Sequence, residues 1–173
     1  MSPHPLIRLA AEAIAAHLSG RGPIERPEAP GDDSPWSLKP AGLFVCLKRR
    51  GDLRGCIGTI EPSRDSLAAE VIENAVGAAT RDPRFPPVRP EELPELVISI
   101  HVLGPHERVS GPEELDPSRY GLIVRAGARR GVLLPDVEGI TTAAQQIETA
   151  RAKAGIGPRE PVELFRFDAT KYE

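Results

Sequence analysis

The sequence predicts an α+β fold, a mainly antiparallel sheet with flanking helices. Three observations carry this. Two stretches read as β-hairpins with short turns, which only antiparallel strands allow. Segments of helical periodicity separate the strand-like runs. The 173 residues include 19 prolines and 16 glycines, which implies many turns and short elements and argues against a helical bundle.

Each element follows from local pattern. Leu6 to Leu18 places Leu6, Leu9, Ala10, Ala13, Ile14 and His17 on one helical face, with Pro5 at its start and Gly20 at its stop. Residues 20 to 40 carry five prolines and several charges and read as a surface connection, with Trp36 as a loop anchor. Gly42 to Lys48 and Leu53 to Ile60 flank Arg49-Arg50-Gly51-Asp52 and form the first hairpin. Ser63 caps a helix from Arg64 to about Ala79, with Asp65, Glu70 and Glu73 on its exposed side as solubility charges. Arg81 to Pro90 is a proline-broken loop, and Leu96 to Leu103 is a third strand. Gly121 to Arg125 and Gly131 to Leu134 make a second hairpin around a tip at Ala126 to Arg130. Glu113-Glu114 before Leu115-Asp116-Pro117 is a helix-start signal. Thr142 and Gln145 form a capping box for a helix running to Ala154, ended by Gly155. Val162 to Phe167 is the last strand.

Composition narrows the function classes. The net charge of −3 argues against a protein held to nucleic acid by phosphate contacts. Aromatic residues at 4% leave little for a base-stacking platform. No apolar run approaches the ~20 residues that span a bilayer, and no secretory signal is visible at Met1 to Pro5, so a cytoplasmic protein with reduced thiols is expected. Cys-x-x-Cys and His-Glu-x-x-His spacings are absent, so neither a metal nor a cofactor is expected. The three-cysteine radical iron–sulfur motif is absent too, so radical chemistry would belong to a partner.

Leu53-Arg54-Gly55-Cys56-Ile57-Gly58-Thr59 is the most informative stretch. Alternation along a strand sets Leu53, Gly55, Ile57 and Thr59 toward the core and Arg54, Cys56 and Gly58 on the other face. A guanidinium beside a thiol favours the thiolate. The glycines strip bulk from the neighbourhood, so a ligand can approach. Cys56 is therefore the candidate nucleophile or covalent carrier, and Arg54 its thiolate-stabilising or anion-orienting partner. Gly55, Gly58, Thr59 and Arg84 complete a candidate ligand-binding set. The alternative is that Cys56 is a small buried hydrophobe and Arg54 a surface charge. His101 and His106 are candidate general bases, although nothing in the sequence sets them beside Cys56. A two- or four-residue loop centred on Arg50-Gly51 sets Cys46 opposite Gly55 and Cys56 opposite Val45, on opposite faces where no disulfide can form. A three-residue loop would put the two diagonally on one face. Separate faces, with Cys46 in the core, are expected.

Several motifs together carry a family resemblance. Gly42-Leu-Phe-Val-Cys-Leu-Lys48, Leu53 to Thr59 and Asp82-Pro-Arg-Phe-Pro-Pro87 resemble successive signatures of the AMMECR domain family. Glu95 to Ile100, Gly121 to Val124, Gly131 to Pro135 and Lys153 to Ile156 agree with it. Bacterial and archaeal members are called AmmeMemoRadiSam system protein A. The resemblance runs from about residue 6 to the C-terminus and departs at Asp136, where many members carry glutamine. It implies one AMMECR domain over residues 1–173, built as two unequal α/β lobes, with the Leu53 motif at or near a cleft between them. It also implies two partners, a Memo-like protein and a radical S-adenosylmethionine enzyme. It supplies no established reaction. A cysteine-dependent enzyme component and a non-catalytic adaptor for those partners both follow from it. Asp82 to Pro87 reads as a rigid corner with Phe85 in the core and Asp82 accepting from Arg84 or from backbone donors in the turn, or as a wall from which Arg84 grips a carboxylate or phosphate. Arg125, Arg129 and Arg130 read as a solvated edge.

Overall fold

A computed structural model describes residues 3–25 and 39–173. Trp36 and most of the connection expected over 20–40 lie outside the described residues. The chain divides into two units, Met1–Val102 with Thr170–Glu173, and Leu103–Ala169. Each is an α+β unit around a four-stranded sheet, in agreement with the expected class.

In the first unit, helix α1 spans Pro5–Leu18, with Pro5 in its first turn and the His4 ring accepting from the Leu6 N–H. It buries Leu6, Leu9, Ala10, Ala13 and Ile14. Strands β1 (Leu43–Arg49) and β2 (Asp52–Thr59) form the first hairpin, and β3 spans Leu96–Leu103. Arg50 and Gly51 both take positive φ, as a two-residue primed turn requires. Helix α2 spans Leu67–Thr80, three residues later than the sequence predicts. Its cap is Ser66, whose hydroxyl accepts from the Ala69 N–H, because Ser63 is already engaged. The Ser63 N–H and hydroxyl and the Arg64 N–H all donate to Glu70, which holds residues 63–64 out of the helix. Glu70 is therefore not an exposed solubility charge; its side chain is fully buried. Burial opposes its charge, but those donors and the Thr59 hydroxyl outweigh it and hold the carboxyl below its usual range. Glu73 stays half-exposed, pairing with Arg64 and Arg81.

The first sheet runs β2-β1-β3-β8, where β8 (Ala169–Tyr172) is a short strand that the sequence does not signal. α2 packs on β1 and β2, and α1 on α2. Val45 and Leu47 of β1 and Ile100 of β3 face these helices and are fully buried.

In the second unit the sheet runs β4-β7-β5-β6, from β4 (Glu107–Val109), β5 (Gly121–Ala126), β6 (Arg129–Leu133) and β7 (Glu163–Phe167). The second hairpin is tighter than expected, since β6 already includes Arg129 and Arg130. The signal at Glu113-Glu114 gives one 3-10 turn, Pro112–Glu114. Helix α3 spans Ala143–Lys153 and opens on the expected capping box. Gly155, at φ +63°, follows it. Leu122, Val124, Ala150 and Ile156 form the core of this unit. Among the described residues no helix is long and apolar enough to cross a membrane.

Candidate functional site at the β1–β2 hairpin

The turn fixes the first rungs of the hairpin as Arg49↔Asp52 and Lys48↔Leu53. The register then shifts, and the next rungs are Leu47↔Gly55 and Cys46↔Cys56. Arg54 is left without a partner, a β-bulge of one residue. This overturns the expectation of cysteines on opposite faces. That expectation holds for an unbroken ladder; one bulged residue reverses the parity, and the cysteines come directly opposite. They are disulfide-bonded, with Cα atoms 4.0 Å apart, so neither is a free thiol. Reduced thiols were likewise expected and are not what the structure holds. The bulge also places Leu53 beside Lys48 on the face away from the helices, and Leu53 is exposed, not part of the core.

β2 is the edge of its sheet. The outward backbone groups of Cys56 are taken by side chains of the 82–87 loop. Its N–H donates to Asp82 Oδ2 at 2.9 Å, and its carbonyl accepts from Arg84 Nη2 at 3.3 Å. Arg84 in turn forms a fork onto Asp82, Nε to Oδ1 at 3.0 Å and Nη2 to Oδ2 at 2.7 Å. Hydrogen bonds from the Arg84 guanidinium, and then from the N–H groups of Cys56 and Arg84, hold the buried Asp82 carboxyl down to about 2 against the effect of burial. The loop acts as a surrogate strand at the edge. Because Cys56 turns both groups outward, Cys46 and Cys56 form a non-hydrogen-bonded pair, the kind whose side chains lie closest.

Arg54 does not lie along the thiol. Its Nε and Nη2 grip Oε1 and Oε2 of Glu92 at 3.0 and 3.1 Å, and Nη1 reaches the Pro86 carbonyl at 2.9 Å. Glu92 stands in the 3-10 turn Pro90–Glu95, almost fully buried. It also accepts from Arg49 Nη1 at 3.0 Å and from the Arg89 N–H at 2.8 Å. Hydrogen bonds from Arg54, and then from the Arg89 N–H, hold its carboxyl down to about 2. The guanidinium expected to stabilise a thiolate instead clamps the bulge, because a bulged residue escapes the two-residue alternation.

The remaining predicted residues are placed as follows. A side chain at Gly55 would overlap the Ala78 carbonyl of α2, and one at Gly58 would overlap the Phe44 ring and the Leu43 carbonyl. The protein itself occupies the space beside both glycines. Thr59 donates to Glu70 at 2.6 Å, on the helix side of the sheet. His101 stands opposite Phe44 in β3, and burial lowers its pKa. His106 lies in the second unit with its ring near Phe167. Of the predicted set, the structure joins Cys56 with Arg84 only. Asp82, expected to accept from Arg84 or from backbone donors in its turn, accepts from both the Arg84 guanidinium and the Arg84 N–H. Cys46 and Glu92 are the site residues that sequence reasoning missed. Cys46 lies 10 residues from Cys56, and Glu92 lies 38 and 43 residues from Arg54 and Arg49, so no spacing rule links them. Among the described residues no group of three or more His, Cys, Asp or Glu side chains is arranged to hold a metal ion. An apolar groove of about 320 Å³, lined by Ala11, Ile14, Leu93 and Ile98 among others, lies between α1 and the 3-10 turn and includes no residue of the motif.

Comparison with known proteins places this hairpin in context. A protein of Thermotoga maritima is 44% identical over 174 residues, covering 98% of each chain. A longer protein of Clostridium acetobutylicum is 41% identical over 98% of this chain, which spans only 36% of that relative. The crystal structure of uncharacterized protein PH0010 from Pyrococcus horikoshii superposes with a TM-score of 0.86 at 35% identity, covering 96% of this chain and 88% of that one. The AMMECR1 family model matches residues 7–172. The chain belongs to the AMMECR1 family.

Proposed function

We propose that this chain is a cytoplasmic component of an AmmeMemoRadiSam system, working beside a radical S-adenosylmethionine enzyme and a Memo-like protein. In this reading Cys56, in its thiol form, is the nucleophile or covalent carrier. The family membership supports the system. The observation that carries the role of Cys56 is its setting: it is partly exposed on an edge strand, and its N–H and carbonyl are both pinned by the Asp82–Arg84 fork. Such pinning fixes the sulfur's position without using the sulfur itself. Arg84 is the cation nearest in the hydrogen-bond network, and Arg54 acts through the bulge as a positioning residue.

The experiment is the pH dependence of Cys56 alkylation in Cys46→Ala, read by intact mass. A working thiol titrates well below the ordinary ~8.5 and moves up in Arg84→Ala. A Cys56 that titrates at ~8.5, or that reacts only after unfolding, overturns the carrier role.

A second reading, a non-catalytic adaptor for the same partners, is favoured by one observation. Val97 and Leu53 are 52% and 40% exposed and flank Lys48 on the sheet face that carries the cysteines. Exposed apolar side chains on a sheet face suit protein docking. Val97→Asp should then abolish co-purification with the Memo-like protein while leaving alkylation of Cys56 unchanged.

A further inference from the structure

We infer that Cys46 is a redox latch on Cys56, set in register by the Arg54 bulge and opened by a dithiol reductant. The inference rests on the reading that the Cys56 thiol is the working group.

The geometry is built for it in three ways. First, the pairing depends on one residue. Continued without the bulge from Lys48↔Leu53, the ladder would set Leu47 against Arg54 and Cys46 against Gly55. The sulfurs would then point to opposite faces. The bulge removes Arg54 from the count and turns them toward each other. Second, the bulge is held from outside the hairpin. The Arg54 guanidinium is fixed by both Glu92 oxygens and by the Pro86 and Pro87 carbonyls. Third, the two sulfurs are unequally placed. Cys46 is nearly buried, at 9% exposure, on the inner strand, whereas Cys56 is partly exposed on the edge strand. An incoming thiolate meets Cys56 first.

The exchange balances with a dithiol as the reductant. One of its thiolates attacks Cys56 Sγ, the Cys46–Cys56 bond breaks, and Cys46 leaves as a thiolate that takes up a proton. The reductant's second thiolate then attacks its own sulfur in the mixed disulfide. Cys56 leaves as a thiolate that takes up the second proton, and the reductant closes its own disulfide. Two electrons and two protons pass to the protein. The ladder bonds of the hairpin lie elsewhere in the pair, so the bond opens without unfolding the strands. In the cytoplasm proposed above, lasting structural disulfides are uncommon and reversible ones act as sensors.

The test uses the purified full chain, equilibrated in buffers of varied reduced-to-oxidised dithiothreitol ratio, trapped with maleimide and counted by intact mass. Circular dichroism confirms that the fold is kept. We expect no labelled cysteine in oxidant, both labelled in reductant, and full reversal. Arg54→Ala should close only at a ratio at least tenfold more oxidising. Glu92→Gln gives the same readout if that variant fails to fold. Both cysteines labelled at every ratio, or neither labelled while the protein stays folded, overturns the latch. A reversible bond with an unchanged midpoint in both clamp variants overturns the role of the bulge. The carrier reading is judged separately, in Cys46→Ala, where no latch exists.

Discussion

The two hairpins share a plan and differ by one residue. Each turns through two residues, and each has its second strand at a sheet edge. Each edge strand carries a glycine pressed against a helix backbone, Gly55 under Ala78 and Gly131 under Ala150. In β5–β6 the register runs unbroken from Ala126↔Arg129 to Leu122↔Leu133. In β1–β2 it slips at Arg54. Turn chemistry thus decides the first rungs of a hairpin but not which side chains meet further on. What decides that is the clamp beside the strand, and among the described residues only the first hairpin has a buried carboxylate in that place.

The shared part of the plan should break hardest. A methyl group at Gly55 or Gly131 collides with helix backbone, which cannot yield as a side chain would. Gly55→Ala and Gly131→Ala should each lose about 3 kcal/mol in urea denaturation. A neutral result at either position would mean that the two helix seats are not equivalent.

Acid should separate the hairpins next. Asp82 and Glu92 are both held down to about 2, below their ordinary 3.8 and 4.5. A lowered folded-state value stabilises the fold above the ordinary range, and that stabilisation is lost as pH falls from ~5 toward ~2. Each carboxylate should contribute on the order of 2 kcal/mol, seen by comparing denaturant midpoints at pH 6 and pH 3. Asp82→Asn and Glu92→Gln should flatten that difference. Glu160 and Glu163, which serve the second hairpin, are half-exposed, so solvent screens their pairs with Arg129 and Arg125 and they should add less to it.

A subtler pair of variants sharpens the role of the bulge. Deleting Arg54 removes the extra residue, so Leu47↔Gly55 and Cys46↔Cys56 persist in a straight ladder. Arg54→Ala keeps the residue and frees it to rejoin the ladder. Mass spectrometry under non-reducing conditions should find the disulfide in the deletion and less of it in the substitution, with stability changed by about 1–2 kcal/mol in each. The smallest effect belongs to the second hairpin's edge. There Lys153 donates to the Val132 carbonyl at 3.0 Å from an exposed position. Lys153→Ala should change stability by less than ~0.5 kcal/mol.

Most of the fold was legible because its signals are local. The α1 periodicity, the capping box at Thr142 and the Arg50-Gly51 turn each act within a few residues. Strands β4 and β8 escaped because they are three and four residues long and owe their pairing to neighbours. The site was legible as a stretch of chain but not as an arrangement. Cys56 and Arg84 could be named from the motifs. The direction of Arg54, the engagement of Glu70 and the meeting of the cysteines all depend on partners that only folding brings near. Glu70 shows this most plainly: on helical periodicity it sits on a polar face, yet Ser63, Arg64 and Thr59 wrap it completely.

The Asp82–Arg84 fork has one more consequence, for how anything can attach here. A free edge strand invites a foreign peptide to extend the sheet, or a second copy to aggregate through it. At Cys56 both backbone hooks are already filled by a carboxylate and a guanidinium. Strand addition at this point is closed to any visitor. A macromolecule that engages this hairpin has to read side chains from above the sheet, where the cystine, Leu53 and Val97 form the legible surface.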